Sequence, residues 1–148
     1  MPNRSSHPIL SCTDGLASGL SDAFLLLARI CLALVFIMTA YHGNPTPTTL
    51  GNLGFPMPAV ASMIAITSEF AFGVALILGV GTRYAALLGI IYVVIATATA
   101  HLWWQYPAAQ QVAQFTNFMK NTAIIGGFLA IFVVGAGRFS VDALLSQK

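Results

Sequence analysis

A chain of 148 residues that is 57% hydrophobic and 7% charged has too few charged side chains to cover a water-soluble domain of its size. Its formal charge of +2 says little as a total, but there is no basic stripe for nucleic acid, no glycine-rich nucleotide loop after a strand and no nucleophile motif. Those classes are set aside in favour of a membrane protein, because apolar segments of about twenty residues need only lipid around them.

The first 22 residues mix Pro, Ser and Gly without a useful period and read as a flexible or interfacial leader, and the apolar run that follows, with no small-residue cleavage signature at its far end, reads as a retained helix instead of a signal peptide. Cys12 lies in this leader and Cys31 in the first apolar run; with no CxxC pair, a dithiol redox site is not expected. Ser21 or Asp22 can cap a first helix from about Ala23 to His42, interrupted only by Arg29. GNPTPTTLGN then stops it. A second helix occupies about Ala59 to Gly79, and the short turn through Gly81 to Arg83 forces its successor, about Tyr84 to Trp104, to run antiparallel. Small residues on that third helix, among them Ala86 and Gly89, suit close helix contact.

The segment QYPAAQQVAQFTN is uncharged and long enough for a short surface helix, after which a fourth helix is expected from about Asn117 to Gly135 or Gly137. The tail from 138 to 148 holds Val141, Leu144 and Leu145, which suit a short amphipathic piece on the interface. The fold expected is an all-α polytopic membrane four-helix bundle over residues 23 to 137, up-and-down in topology. Arg4, Arg29, Arg83, Arg138 and Lys148 all fall on one side of it, which predicts that both termini are cytoplasmic. Tyr41, Trp103, Trp104 and Tyr106 fit an aromatic belt on the other side.

Glu69 sits near the middle of the second helix, where an ionisable group costs several kcal/mol unless it faces a protein interior or finds a partner. Two readings follow. Arg29 is close enough in estimated depth to form a structural ion pair with Glu69; alternatively, Glu69 is a protonatable carboxyl at the bottom of an outward-opening pocket, exchanging protons with a ligand. His101, restricted by the neighbouring LWW, is the second candidate for acid or base work. His42, Trp103, Lys120 and Asn121 are candidates to line the same mouth and bind a ligand, although Trp103 also suits the belt and Lys120 also suits lipid headgroups. Two histidines without a further ligand at helical spacing are a weak metal signal, and no metal site is expected.

SEFAFGVALILGVGTRYAALLG, from Ser68 to Gly89, resembles the central signature of the DoxX family of small four-helix membrane proteins. The GFP segment at Gly54 to Pro56, HLWW at His101 to Trp104 and FMKNTAIIGGFLAIFVVGAGRFSVDALL from Phe118 to Leu145 support it, and the resemblance spans most of the chain from about Phe24. It implies a bacterial cytoplasmic (inner) membrane protein, similar to the smaller membrane subunit associated with thiosulfate:quinone oxidoreductase. Other members resemble a membrane anchor in a complex with superoxide dismutase and a sulfurtransferase. The implied role is a membrane subunit of a quinone-linked or redox- and thiol-stress complex, with quinone, lipid and protein partners; the alternative is a noncatalytic scaffold or small-molecule carrier. Arg29, Glu69, Arg83, His101, Lys120 and Asn121 match recurrent polar positions of the family. The first helix departs from a frequent HGxxK ending, since His42 and Gly43 are followed by Asn44, Pro45 and Thr46.

Overall fold

The computed structural model describes residues 14–146. Most of the expected leader, residues 1–13, and Lys148 lie outside them. The described chain is all-α: α1 (Asp14–Gly19), α2 (Ser21–Tyr41), α3 (Pro47–Asn52), α4 (Pro58–Leu78), α5 (Thr82–Ala100), a 3-10 turn (Trp103–Gln105), α6 (Ala108–Val134) and α7 (Val141–Leu145). Four helices, α2, α4, α5 with the turn that follows it, and α6, are long and apolar enough to cross a membrane. They pack up and down.

Local chemistry explains most of the boundaries. Pro58 opens α4 at a position where the missing N–H is no loss, and Gly79 closes it at φ +67°, a conformation that a side chain would oppose. Ser21 and Asp22 do not cap α2, whose first turn has no side-chain cap; the carboxylate of Asp22 instead accepts from the Arg138 amide at 2.8 Å, because the tail folds back onto this end. The fourth long helix begins nine residues before the expected Asn117, at Ala108. Nothing between Pro107 and Lys120 breaks a helix, so AAQQVAQFTN continues into the apolar body instead of forming a separate surface piece.

One end of the array carries Arg29, the turn before Arg83, and Arg138; the other end, residues 43–57 and 101–107, holds no Asp, Glu, Lys or Arg. We call these the basic and neutral ends. α2 packs most extensively on α4, and α5 on α6, whereas α4 with α5 and α2 with α6 touch less. Glycines set both close pairs. A Cβ on Gly73 would collide with Ile37 of α2, and one on Gly89 would lie 2.7 Å from the Phe128 ring of α6. The core between them contains Ala33, Phe36, Leu76, Ala86, Val93 and Phe128.

The basic end is fastened through helix termini. Arg29 is fully buried; its guanidinium donates to the carbonyls of Leu76 (3.2 Å) and Ile77 (3.4 Å) in the last turn of α4, and to that of Phe139 in the tail. A cation there satisfies carbonyls that have no partner within the helix and complements the negative end of its dipole. On the other side of the turn, the Asp142 carboxylate accepts from the amides of Gly81 (2.7 Å) and Thr82 (2.8 Å), which open α5. The Asp142 amide donates to the Gly79 carbonyl at 3.0 Å, and Ser140 caps α7 by accepting from Ala143. Burial works to raise the Asp142 pKa, but the Thr82 and Gly81 amides and the Arg29 charge outweigh it and hold the group below the ordinary carboxylate value. The short amphipathic piece expected in the tail is α7, and its Leu144 and Leu145 are exposed.

Candidate functional site

Glu69 and Arg29 do not pair. Among the described residues the ion pair within 4.0 Å is Arg138 with Asp22, while Arg29 is committed to the carbonyls that end α4. Side chains on a helix lean toward its N-terminus, and α2 and α4 are antiparallel. Arg29 therefore leans toward the basic end and Glu69 toward the neutral end, so the small depth difference counted along the helices widens at the functional groups.

Glu69 instead lies on the buried face of α4 that also carries Ser62, Gly73 and Leu76, and it is 6% exposed. One carboxyl oxygen, Oε1, accepts from the Tyr92 hydroxyl of α5 at 2.5 Å. The other, Oε2, is buried without a hydrogen-bond partner. The Thr39 hydroxyl of α2 is the second polar group beside this carboxyl, but it donates to the Val35 and Phe36 carbonyls, and a buried oxygen without a partner costs free energy.

Glu69 also lines a cavity of about 360 Å³ that extends from it toward the neutral end. Ala61 and Ala65 of α4 form one wall, and Ile95, Ala96 and Ala100 of α5 the opposite one; Thr39 of α2 closes a third side. Residues of the 43–57 connection, including Leu50, Leu53 and Phe55, form a roof. The roof is built, not slack: α3 is capped by the Thr46 hydroxyl, which accepts from the Thr49 amide at 3.1 Å, Leu50 is buried, and Ser62 of α4 donates to the Pro45 carbonyl at 2.6 Å. The lining is apolar apart from a few groups, the usual composition of a small-molecule site.

Below Glu69 the cavity is bounded by Tyr92, whose ring belongs to an aromatic cluster behind the lining. Phe36, Phe72 and Tyr92 form a triangle with centroids 6.1 to 6.3 Å apart, and Phe128 backs it at 5.7 Å from Phe36. Tyr92 thus has two roles: its ring belongs to this floor and its hydroxyl orients the carboxyl above it.

The structure sorts the remaining sequence candidates. His101 lines the cavity at its neutral end, and its Nδ1 lies 2.7 Å from Gln114 Oε1 on α6. His42 is exposed, set edge-on against Tyr41, and does not line the cavity. Trp103 packs edge-on against Trp104 and Phe115 outside it. Asn121 donates to Thr97 Oγ1 at 2.8 Å, tying α6 to α5, and Lys120 is exposed beside it in the middle of α6; neither reaches the cavity. The common mouth expected for these four residues is not formed, because the early start of α6 moves Lys120 and Asn121 away from its end. Among the described residues no group of three His, Cys, Asp or Glu side chains could hold a metal.

Tyr92, Thr39 and the α3 roof escaped the sequence reading. Tyr92 did carry a signal: like Glu69 it lies deep in an apolar helix, far from either belt, where a buried hydroxyl needs a partner.

The comparisons with known proteins agree with this architecture. The DoxX family model matches residues 24–102. Inner membrane protein YphA of Escherichia coli (strain K12) is 34% identical over 122 residues, 80% of this chain and 87% of that protein. Inner membrane protein YqjF of the same organism is 32% identical over 139 residues, 87% of this chain and 97% of that protein. No solved structure gives a significant match. With four apolar helices in up-and-down packing and matches of this extent, the chain belongs to the DoxX family of small multi-helix inner-membrane proteins.

Proposed function

We propose that the chain is the membrane subunit of a quinone-linked or redox- and thiol-stress oxidoreductase complex, in which the Glu69 cavity binds an apolar ligand. The observation that carries this reading is the buried Glu69 carboxyl, the one acidic group lining an otherwise largely apolar cavity. A carboxyl so situated can hydrogen-bond a quinone carbonyl or a quinol hydroxyl, and can give up or take a proton as the ligand changes redox state. Tyr92 holds the carboxyl in place, and His101, which lines the opposite end of the cavity, is the second candidate for acid or base work in this reading. The basic end faces the cytoplasm in this reading, so both termini do, and the cavity lies in the half of the bilayer nearer the other side.

A scaffold role for Glu69 would rest on its hydrogen bond from Tyr92, which ties α4 to α5, and not on a pair with Arg29, which fastens the basic end. A carrier would share the cavity but not the proton chemistry. The test is Glu69→Gln, which keeps the shape and the hydrogen bond from Tyr92. In a complex purified with its native partners, quinone-dependent turnover is expected to fall by about 10²-fold or more, the usual size of a general acid–base contribution. Unchanged turnover with retained ligand binding would remove Glu69 from the chemistry and leave the carrier reading.

A further inference from the structure

We infer that the cavity admits its ligand sideways from the bilayer, between α4 and α5, and that this ligand is an uncharged lipophile with one hydrogen-bonding head and an apolar tail. The inference rests on the proposed ligand role of the cavity and adds its route and chemical class. Three sides are closed by features already described. The aromatic triangle seals the basic end, the 43–57 connection with α3 roofs the neutral end, and the close α2–α4 pair closes the back.

The side between α4 and α5 is different. These helices are joined by a short turn at the basic end, yet they pack on each other less than either packs on its other neighbour. The cavity occupies the space between their neutral halves, walled by alanines that fill little of it. Ile95 is both part of this lining and 53% exposed, so the cavity wall reaches the lipid-facing surface there. Thr99, one turn further on, likewise lines the cavity and is exposed.

A ligand entering by this gap leaves hydrocarbon, not water. Nothing charged lines the cavity except Glu69, so a charged ligand would arrive without a counter-ion other than that carboxyl. A neutral head can hydrogen-bond the Glu69 carboxyl that lines the cavity, and the volume of about 360 Å³ holds a single substituted ring. A tail attached to that ring then extends past Ile95 into lipid.

The test compares two probes on the full-length protein in lipid nanodiscs: a decyl-tailed benzoquinone and the same ring without the tail. Ile95→Trp, at the rim, is expected to weaken the tailed probe about tenfold or more and to leave the tailless ring within about twofold. Glu69→Gln is expected to weaken both. Retained binding of the tailless ring also reports that the variant is folded. Should Ile95→Trp fail to assemble, Ile95→Ala widens the same rim and is expected to speed association of the tailed probe alone. Equal effects on both probes, or none on either, would overturn lateral entry while leaving the Glu69 pocket standing. Binding of neither probe to the unsubstituted protein would overturn both readings.

Discussion

Arg29 and Asp142 hold opposite sides of one short turn: the guanidinium takes the carbonyls that end α4, and the carboxylate takes the amides that begin α5. Two helices reversing direction at Gly79 to Gly81 present unpaired carbonyls and unpaired amides within a few residues of each other. A cation from α2 and an anion from the tail answer each set. The family-like segments GVGTR and GRFSVD are therefore two halves of one fastening, although more than fifty residues separate them.

Asp142→Asn should lower stability by on the order of 2 kcal/mol, because one charge-assisted hydrogen bond is weakened and the other loses its acceptor. The pH dependence is specific. The folded pKa lies below the unfolded value of about 3.9, so the carboxylate contributes stability above that value and loses it as the pH falls through the folded pKa. Thermal unfolding in detergent between pH 6 and pH 2 should show this acid-side loss in the native chain and a flatter profile in Asp142→Asn.

Arg29→Glu should fail to assemble, and adding Glu69→Arg should not rescue it. The exchanged pair places a carboxylate against the carbonyls of Leu76 and Ile77 and leaves an arginine beside Tyr92. Each change should cost on the order of 3 kcal/mol by removing hydrogen bonds to a buried charged group. Size-exclusion profiles of the two single variants and the double variant measure the coupling; recovery of the native profile in the double variant would restore the ion-pair reading.

Gly73→Ala and Gly126→Ala should move stability in opposite directions. A Cβ at Gly73 meets Ile37 and lies 3.2 Å from the Ala33 carbonyl, whereas one at Gly126 has nothing within 4 Å. The first should cost about 1–3 kcal/mol by overpacking, and the second should gain about 0.5–1 kcal/mol from reduced backbone freedom. Melting temperatures in one detergent compare them directly.

Orientation is read by single cysteines in a chain with Cys12 and Cys31 replaced by Ser. An impermeant thiol reagent applied to intact cells should label Thr48→Cys on the neutral end and spare Ser146→Cys after α7 until the membrane is opened. The reverse pattern would invert the proposed topology.

The four long helices were legible because length, apolarity and the Pro and Gly punctuation at residues 43–58 and 79–81 act locally. Glu69 was legible as a site for a related reason, since a charge in hydrocarbon needs an explanation wherever the helix packs. Its partner was not. Counting rise per residue brought Arg29 near it, but depth along the axis omits the direction in which each side chain leans. The early start of α6 was missed because a polar, uncharged stretch was read as interfacial, while Ala and Gln favour helix there whatever their polarity. The roof around α3 depends on Leu50 and Ser62 meeting neighbours distant in sequence, which no local pattern records.

The aromatic floor has one last consequence, for electrical bookkeeping across the bilayer. Phe36, Phe72, Tyr92 and Phe128 pack as a cluster of aromatic rings directly beneath the Tyr92 hydroxyl that holds Glu69. In the proposed reading a proton exchanged at Glu69 would enter and leave on the neutral-end side of this floor, so whether a cycle moves charge across the bilayer would be set by the side from which its electrons arrive.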